Sequence, residues 1–323
     1  MKIAFTWDYE MFFGHKSGSV NRCMIEPTNR LLEISRRYNS KFTFFVDTGM
    51  LVKGNETEAF SSDLSLIKEQ INCCDNEGHE IGLHIHPHWE DAKWNDGWKF
   101  DLSRYKLSDF NSKDISFVFD KYHNALQSYV NQSIISYRAG GWCIQPFTDI
   151  EESMKRNELY IESSVFPGGK NSKQPYYYDF TKVPAKDHWR FSDDVCVEND
   201  QGMFTQFPIS SQVYHPLFFW RLFILGRLKP SKHKPIGNGF PAKGGGSKKD
   251  FLFKKNLLCV SADGYFVTQI EKAINKAVKR GDKNLVVIGH PKACTPFSIN
   301  YLDQLLNKIS QKHEIVCLKD LEK

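Results

Sequence analysis

No stretch of this sequence approaches the ~18 consecutive apolar residues that a membrane-spanning helix requires, so a helical integral membrane protein is not expected. No internal repeat stands out, which sets repeat architectures aside. The eight cysteines (Cys23, Cys73, Cys74, Cys143, Cys196, Cys259, Cys294 and Cys317) include no CxxC pair. At 323 residues the chain is also too long to need a disulfide framework, so scattered structural thiols in a reducing compartment are expected. No signal peptide is read ahead of Ile3–Thr6, because Met1-Lys2 leads straight into a first strand. The expected location is therefore cytoplasmic, and the sequons at Asn55 and Asn131 carry little weight. Broad basic character is missing too. The net charge is +5, yet Arg221–Lys255 alone holds ten Lys and Arg against the single acid Asp250. The rest of the chain is slightly acidic, which argues against a nucleic acid partner.

What is present suits one large α/β unit. Hydrophobic residues make up 41% of the chain, enough for a sizeable core. Strand-like runs are read at Ile3–Thr6, Phe42–Val46, Glu80–His84, Ile134–Tyr137, Tyr160–Val165, Phe204–Ile209, Leu285–Ile288 and Glu314–Leu318. Helical spacing is read at Thr28–Tyr38, Ser62–Cys74, Ser112–Val130, Phe266–Lys279 and Ile299–Ile309. Strands alternating with helices imply right-handed βαβ units and a mostly parallel sheet, which could close into a barrel. The segment Lys229–Lys249, rich in Pro, Gly and Lys, reads as an exposed loop or a disordered insert. The organisation expected is a single domain over 1–323 with a basic insertion at about 215–255.

Polar residues recur where strands end: Asp8 and Glu10, Asp47, then His84, His86 and His88, then Arg138, and finally His290. In a parallel barrel these positions share the carboxyl-end rim where active sites are built. The run HIHPHW at 84–89 gathers three imidazoles, and neutral imidazoles are favoured zinc ligands. His84 and His88 converge if the chain makes a helical turn there; His86 joins them or bonds the backbone. Asp8 and Glu10 share one side of an extended strand, which suits a metal ligand plus a general base. Either could instead cap a turn. Arg138, in YRAGGW, could hold a carboxylate ionised, and Gly140-Gly141 would let backbone approach a ligand.

Taken together, the motifs resemble the polysaccharide deacetylases, the NodB-homology group of carbohydrate esterases. TWDYE at 6–10 is similar to the family's first motif, KFTFFVDTG at 41–49 to its second strand, and EGHEIGLHIHPH at 77–88 to its histidine segment. YRAGGW at 137–142, ESSVFPG at 162–168 and VVIGHP at 286–291 follow in the family's order. The resemblance implies a distorted (β/α) barrel of about seven parallel strands. It implies a hydrolase with Asp8 as general base, Arg138 as its tether, His84 and His88 as ligands of a divalent metal such as zinc, and His290 as general acid. A backbone N–H near Ala139 would help to stabilise an oxyanion. Trp89 and Trp142, each beside a motif, are sugar platforms or core packing. One departure matters: Tyr9 stands where the family has its second Asp, so Glu10 or His86 would supply the third ligand, or the site is metal-free. Glu162 likewise replaces an Asp.

The function implied is removal of an N-acetyl or related acyl group from a sugar in surface-glycan biosynthesis, on a lipid- or nucleotide-linked oligosaccharide. A related C–N hydrolase or glycosidase on the same fold, or a glycan-binding relative without turnover, is the alternative. Leu217–Leu225, apolar apart from Arg221, reads either as a core or lid helix or as part of a peripheral membrane contact through 217–255.

Overall fold

The computed structural model describes residues 1–242 and 248–322, so residues 243–247 of the expected loop lie outside the described residues. The first strands are β1 (Lys2–Tyr9), β2 (Thr43–Asp47) and β3 (Glu80–Ile85). All are buried through their last residues, as expected of strands covered on both faces. A small hairpin, β4 (Lys93–Trp94) with β5 (Trp98–Lys99), precedes β6 (Ser136–Ala139) and β7 (Ile161–Glu162). A second hairpin, β8 (Lys170–Asn171) with β9 (Tyr178–Asp179), leads to β10 (Trp189–Phe191) and β11 (Phe204–Gln206). A third pairs β12 (Ser211–Tyr214) with β13 (Asn256–Cys259), before β14 (Asn284–Gly289) and β15 (Glu314–Ile315).

The main sheet runs β10-β11-β7-β6-β3-β2-β1-β14, with β15 beside the start of β1. Seven of these strands, β11 through β14 in that order, are mutually parallel, and β10 adds an antiparallel edge. The sheet curls back on itself. Beyond β11 the Phe207 and Ile209 amides donate to Glu162 and Val165, and the Ser210 amide then donates to Val286 of β14 at 2.9 Å. The result is the distorted α/β barrel that the alternating pattern implies.

Helices Glu26–Arg37, Ser61–Asn76, Ser112–Gln127, Ile270–Arg280 and Pro296–Ile309 pack outside the sheet, each burying an apolar stripe such as Leu64, Ile67, Ile71 and Cys74. None of the eight cysteines forms a disulfide. Two readings shift. The fourth strand begins at Ser136 rather than Ile134, so Arg138 lies within it. Part of the Lys229–Lys249 segment is ordered against the barrel rim: Ile236 is buried, its amide donates to Cys294, and the Gly14 amide donates to Phe240. Among the described residues, no helix is long and apolar enough to cross a membrane.

Candidate active site

Strand register builds the site. Asp47 on β2, His84 on β3 and Arg138 on β6 are direct neighbours across the sheet, and Trp7 on β1 pairs with Gly289, one residue before His290. Along β1 the period of two sends Thr6, Asp8 and Glu10 to the same side. Tyr9 faces the other way, where its hydroxyl donates to Gln70 on the helix layer at 2.7 Å. A carboxylate at position 9 would face that layer as well; Glu10 restores one to the barrel interior.

Arg138 is fully buried. Its Nη1 donates to Asp8 Oδ1 at 2.6 Å, its Nε to the Ser163 carbonyl at 2.7 Å, and its Nη2 to Thr6 Oγ1 and Ser163 Oγ. Burial alone would raise the Asp8 carboxyl, but Arg138 and then His84 and His290 outweigh it and hold Asp8 below its ordinary range. Its other oxygen, Oδ2, faces His290 Nε2 at 3.7 Å and His84 Nε2 at 4.0 Å.

Glu10, His84 and His86 form the one compact group of potential metal-holding side chains among the described residues. Glu10 Oε2 is 2.7 Å from His86 Nε2 and 3.3 Å from His84 Nε2. His84 Nδ1 donates to the Arg138 carbonyl at 2.7 Å, which fixes the ring and turns Nε2 toward Glu10. His86 has no such support: its Nδ1 is buried without a partner. Burial pushes His86 down to about 4, keeping it neutral and competent as a ligand. Two imidazole nitrogens and a carboxylate oxygen are a donor set that fits a divalent ion such as zinc.

His88 stands apart. The chain stays extended through His86 (φ −106°, ψ 97°) and only then enters a 3₁₀ turn, Pro87–Asp91. Extended backbone brings i and i+2 to one side, so His84 is joined by His86 rather than by the i+4 residue. His88 packs instead face to face on Tyr105, ring centroids 5.4 Å apart, with both nitrogens unpartnered. Of the two expectations for Trp89, sugar platform or core packing, the structure shows packing: it is fully buried, and its Nε1 donates to Asp47 at 2.6 Å. Gly140 serves by its smallness, since a Cβ there would lie 2.5 Å from His86 Nδ1. The Ala139 amide is already committed to Ser164 Oγ at 2.7 Å and is not a free oxyanion donor. That serine is held in turn by Glu162, which accepts its amide and hydroxyl.

Two further groups complete the site. Asp263, 27 positions before His290, accepts the His290 amide at 2.7 Å and meets its Nδ1 at 2.8 Å. Against the opposing effect of burial, Asp263 chiefly raises His290 to about 9. Lys292 is buried, and its Nζ donates to Glu10 Oε1 and the Met11 carbonyl, both at 2.7 Å. Burial opposes ionisation of Glu10, yet Lys292 and then His86 bring it well below the usual carboxylate range. The only sequence hint of Lys292 was its place two residues past His290.

Asp8, Glu10, His84, His86, His290 and Lys292 floor a cavity of about 560 Å³. Trp142, Tyr105, Tyr176 and Tyr178 form aromatic walls, and Pro241 and Ala242 of the insertion close another side. Trp142 holds a left-handed backbone (φ 62°) straight after Gly141 (φ 58°), uncommon for a bulky residue and typical of a functional position.

The sequence matches no family model, and the search of curated proteins gives no match. Solved structures do match. A candidate polysaccharide deacetylase from Mycobacterium smegmatis is 12% identical with a TM-score of 0.55, over 99% of this chain and 88% of that one. A family 4 acetyl xylan esterase from Clostridium thermocellum, in complex with a cobalt ion, is 12% identical (TM-score 0.42; 99% and 90% covered). A pseudoenzyme of the same esterase family from Bacillus anthracis is 9% identical (TM-score 0.44; 100% and 65% covered). With the motif order and the curled parallel sheet, the mycobacterial match establishes that this chain has the polysaccharide deacetylase fold.

Proposed function

We propose that this protein is a metal-dependent hydrolase that removes an N-acetyl or related acyl group from a sugar. The observation that carries the reading is the free Asp8 Oδ2, 3.7 Å from His290 Nε2 and beside the Glu10–His84–His86 group. It sets a base and an acid on either side of one small volume.

A divalent ion held by Glu10, His84 and His86 would polarise the acyl carbonyl and acidify a water. Asp8, anchored through Oδ1, takes a proton from the attacking water at Oδ2. His290 carries a proton at neutral pH, and Asp263 fixes its ring through Nδ1, so Nε2 is aimed to protonate the leaving amine. Trp142 and Tyr176 offer flat apolar faces to a sugar ring. An expected place of action is the cytoplasmic side of a membrane, on a lipid- or nucleotide-linked precursor of a surface glycan.

A second reading draws on Lys292. Its ammonium already neutralises Glu10 without any metal, which favours a glycan-binding protein that has lost turnover. Metal content of the purified protein, together with acetate release from N-acetylated sugars, separates the two. Release with stoichiometric metal supports the hydrolase. Glycan binding without metal or release supports the binding protein.

A further inference from the structure

We infer that the helix Pro216–Leu228 and its basic flanks form a docking surface for an anionic lipid membrane. The helix splits cleanly into two faces. Phe218, Phe219 and Leu222 turn inward on a small core of their own with Tyr214, Phe251 and Tyr265. The outward face keeps Leu217 (65% exposed), Ile224 (51%) and Leu228 (73%) in water, flanked by Trp220 and Phe223. Phe253 of the next helix, 71% exposed, stands against Trp220 with ring centroids 6.0 Å apart. A cluster of large apolar side chains on one exposed face marks an interaction site rather than random scatter.

The charges around it select the partner. Arg221 and Arg227 lie on or beside the apolar face, where long stems let the guanidinium snorkel while the apolar neighbours bury. Lys229, Lys232, Lys234, Lys254 and Lys255 follow, all exposed. Only Asp250 opposes them in this stretch, and it is paired with Lys254 at 2.8 Å. An apolar helical face collared by cations, with a tryptophan among the contacts, complements the acyl boundary and headgroups of an anionic bilayer. At 13 residues the helix lies on such a surface and does not span it. The connection beyond the lysines then runs to the active site: Asn238 accepts the Ser19 amide, and Pro241 and Ala242 line the cavity. On the reading that the substrate is a lipid-linked sugar, docking through this face would bring the protein to the membrane that carries it.

The test is co-sedimentation of the full chain with vesicles of phosphatidylglycerol and phosphatidylcholine, against phosphatidylcholine alone, at low and high salt. Binding is expected to the anionic vesicles only and to fall with salt. Leu217→Ser/Ile224→Ser/Leu228→Ser should lose it while circular dichroism stays unchanged. Lys229→Gln/Lys232→Gln/Lys234→Gln touches no packed side chain and should weaken partitioning by about fivefold for each engaged lysine. No sedimentation with anionic vesicles at low salt overturns the proposal. So does lipid-independent self-association that the same Ser substitutions abolish, which would make the face a subunit contact. The assay needs no turnover, so its failure and that of the hydrolase reading are separately visible.

Discussion

Arg138 Nη1 and Asp8 Oδ1, 130 positions apart in sequence, meet at 2.6 Å, with the arginine fully buried and the carboxylate at the floor of the cavity. The pair leaves one carboxylate oxygen bound and the other free. Replacing Arg138 with Met would strand a buried charge, at a cost of about 3–5 kcal/mol. Urea denaturation checks this. Adding Asp8→Asn should recover part of the loss, because the stranded charge is gone; strictly additive losses would mean that the two residues do not act as a pair.

Asp8→Asn alone removes the proposed proton acceptor and keeps the shape. Turnover should fall by about 10²–10⁴, with bound metal unchanged by elemental analysis. If metal is lost instead, Asp8 is a ligand and its role has been exchanged with that of Glu10.

The proposed metal-holding group predicts an order among the histidines. His84→Ala removes a nitrogen whose ring is fixed by the Arg138 carbonyl and should abolish metal binding. His86→Ala should weaken affinity, with excess metal restoring part of the rate. His88→Ala should keep full metal content and lose stability instead, because its ring is packed among Phe13, Phe100 and Tyr105. Stoichiometric metal in His84→Ala, or its loss in His88→Ala, contradicts the assignment.

The rate should depend on pH through His290. Its folded value of about 9 lies above the ordinary ~6.5. The acid form therefore persists through neutral pH, and kcat/KM should decline as pH rises through about 9. Its contribution to stability has the same sign: fully present below ~6.5, and lost as pH rises through the folded value. Asp263→Asn removes the main group that raises it, so the alkaline limb should move toward neutrality. A limb that stays in place would show that another group titrates there.

Much of this was legible in the chain. The buried strands announce themselves as short apolar runs, and the period of two along β1 is enough to put Asp8 and Glu10 on one side with Tyr9 opposed. The histidine segment was harder, because its outcome depends on where the strand ends. A helical turn joins His84 to His88, whereas one more extended residue joins it to His86, and the proline at 87 sits on that boundary. Trp89 beside a motif gives no sign of whether it faces the cavity or Asp47. Asp263 and Lys292 could not be read at all as partners of His290 and Glu10, since only the closed barrel brings β13, β14 and β1 together.

The most direct measurement is acetate release by the zinc-loaded protein from N-acetylglucosamine-containing substrates, run beside Asp8→Asn loaded to the same metal content. Release by the first and a near-complete loss in the second is the predicted result. Equal release by both, or none from the loaded native protein while it still binds the glycan, would contradict the hydrolase reading.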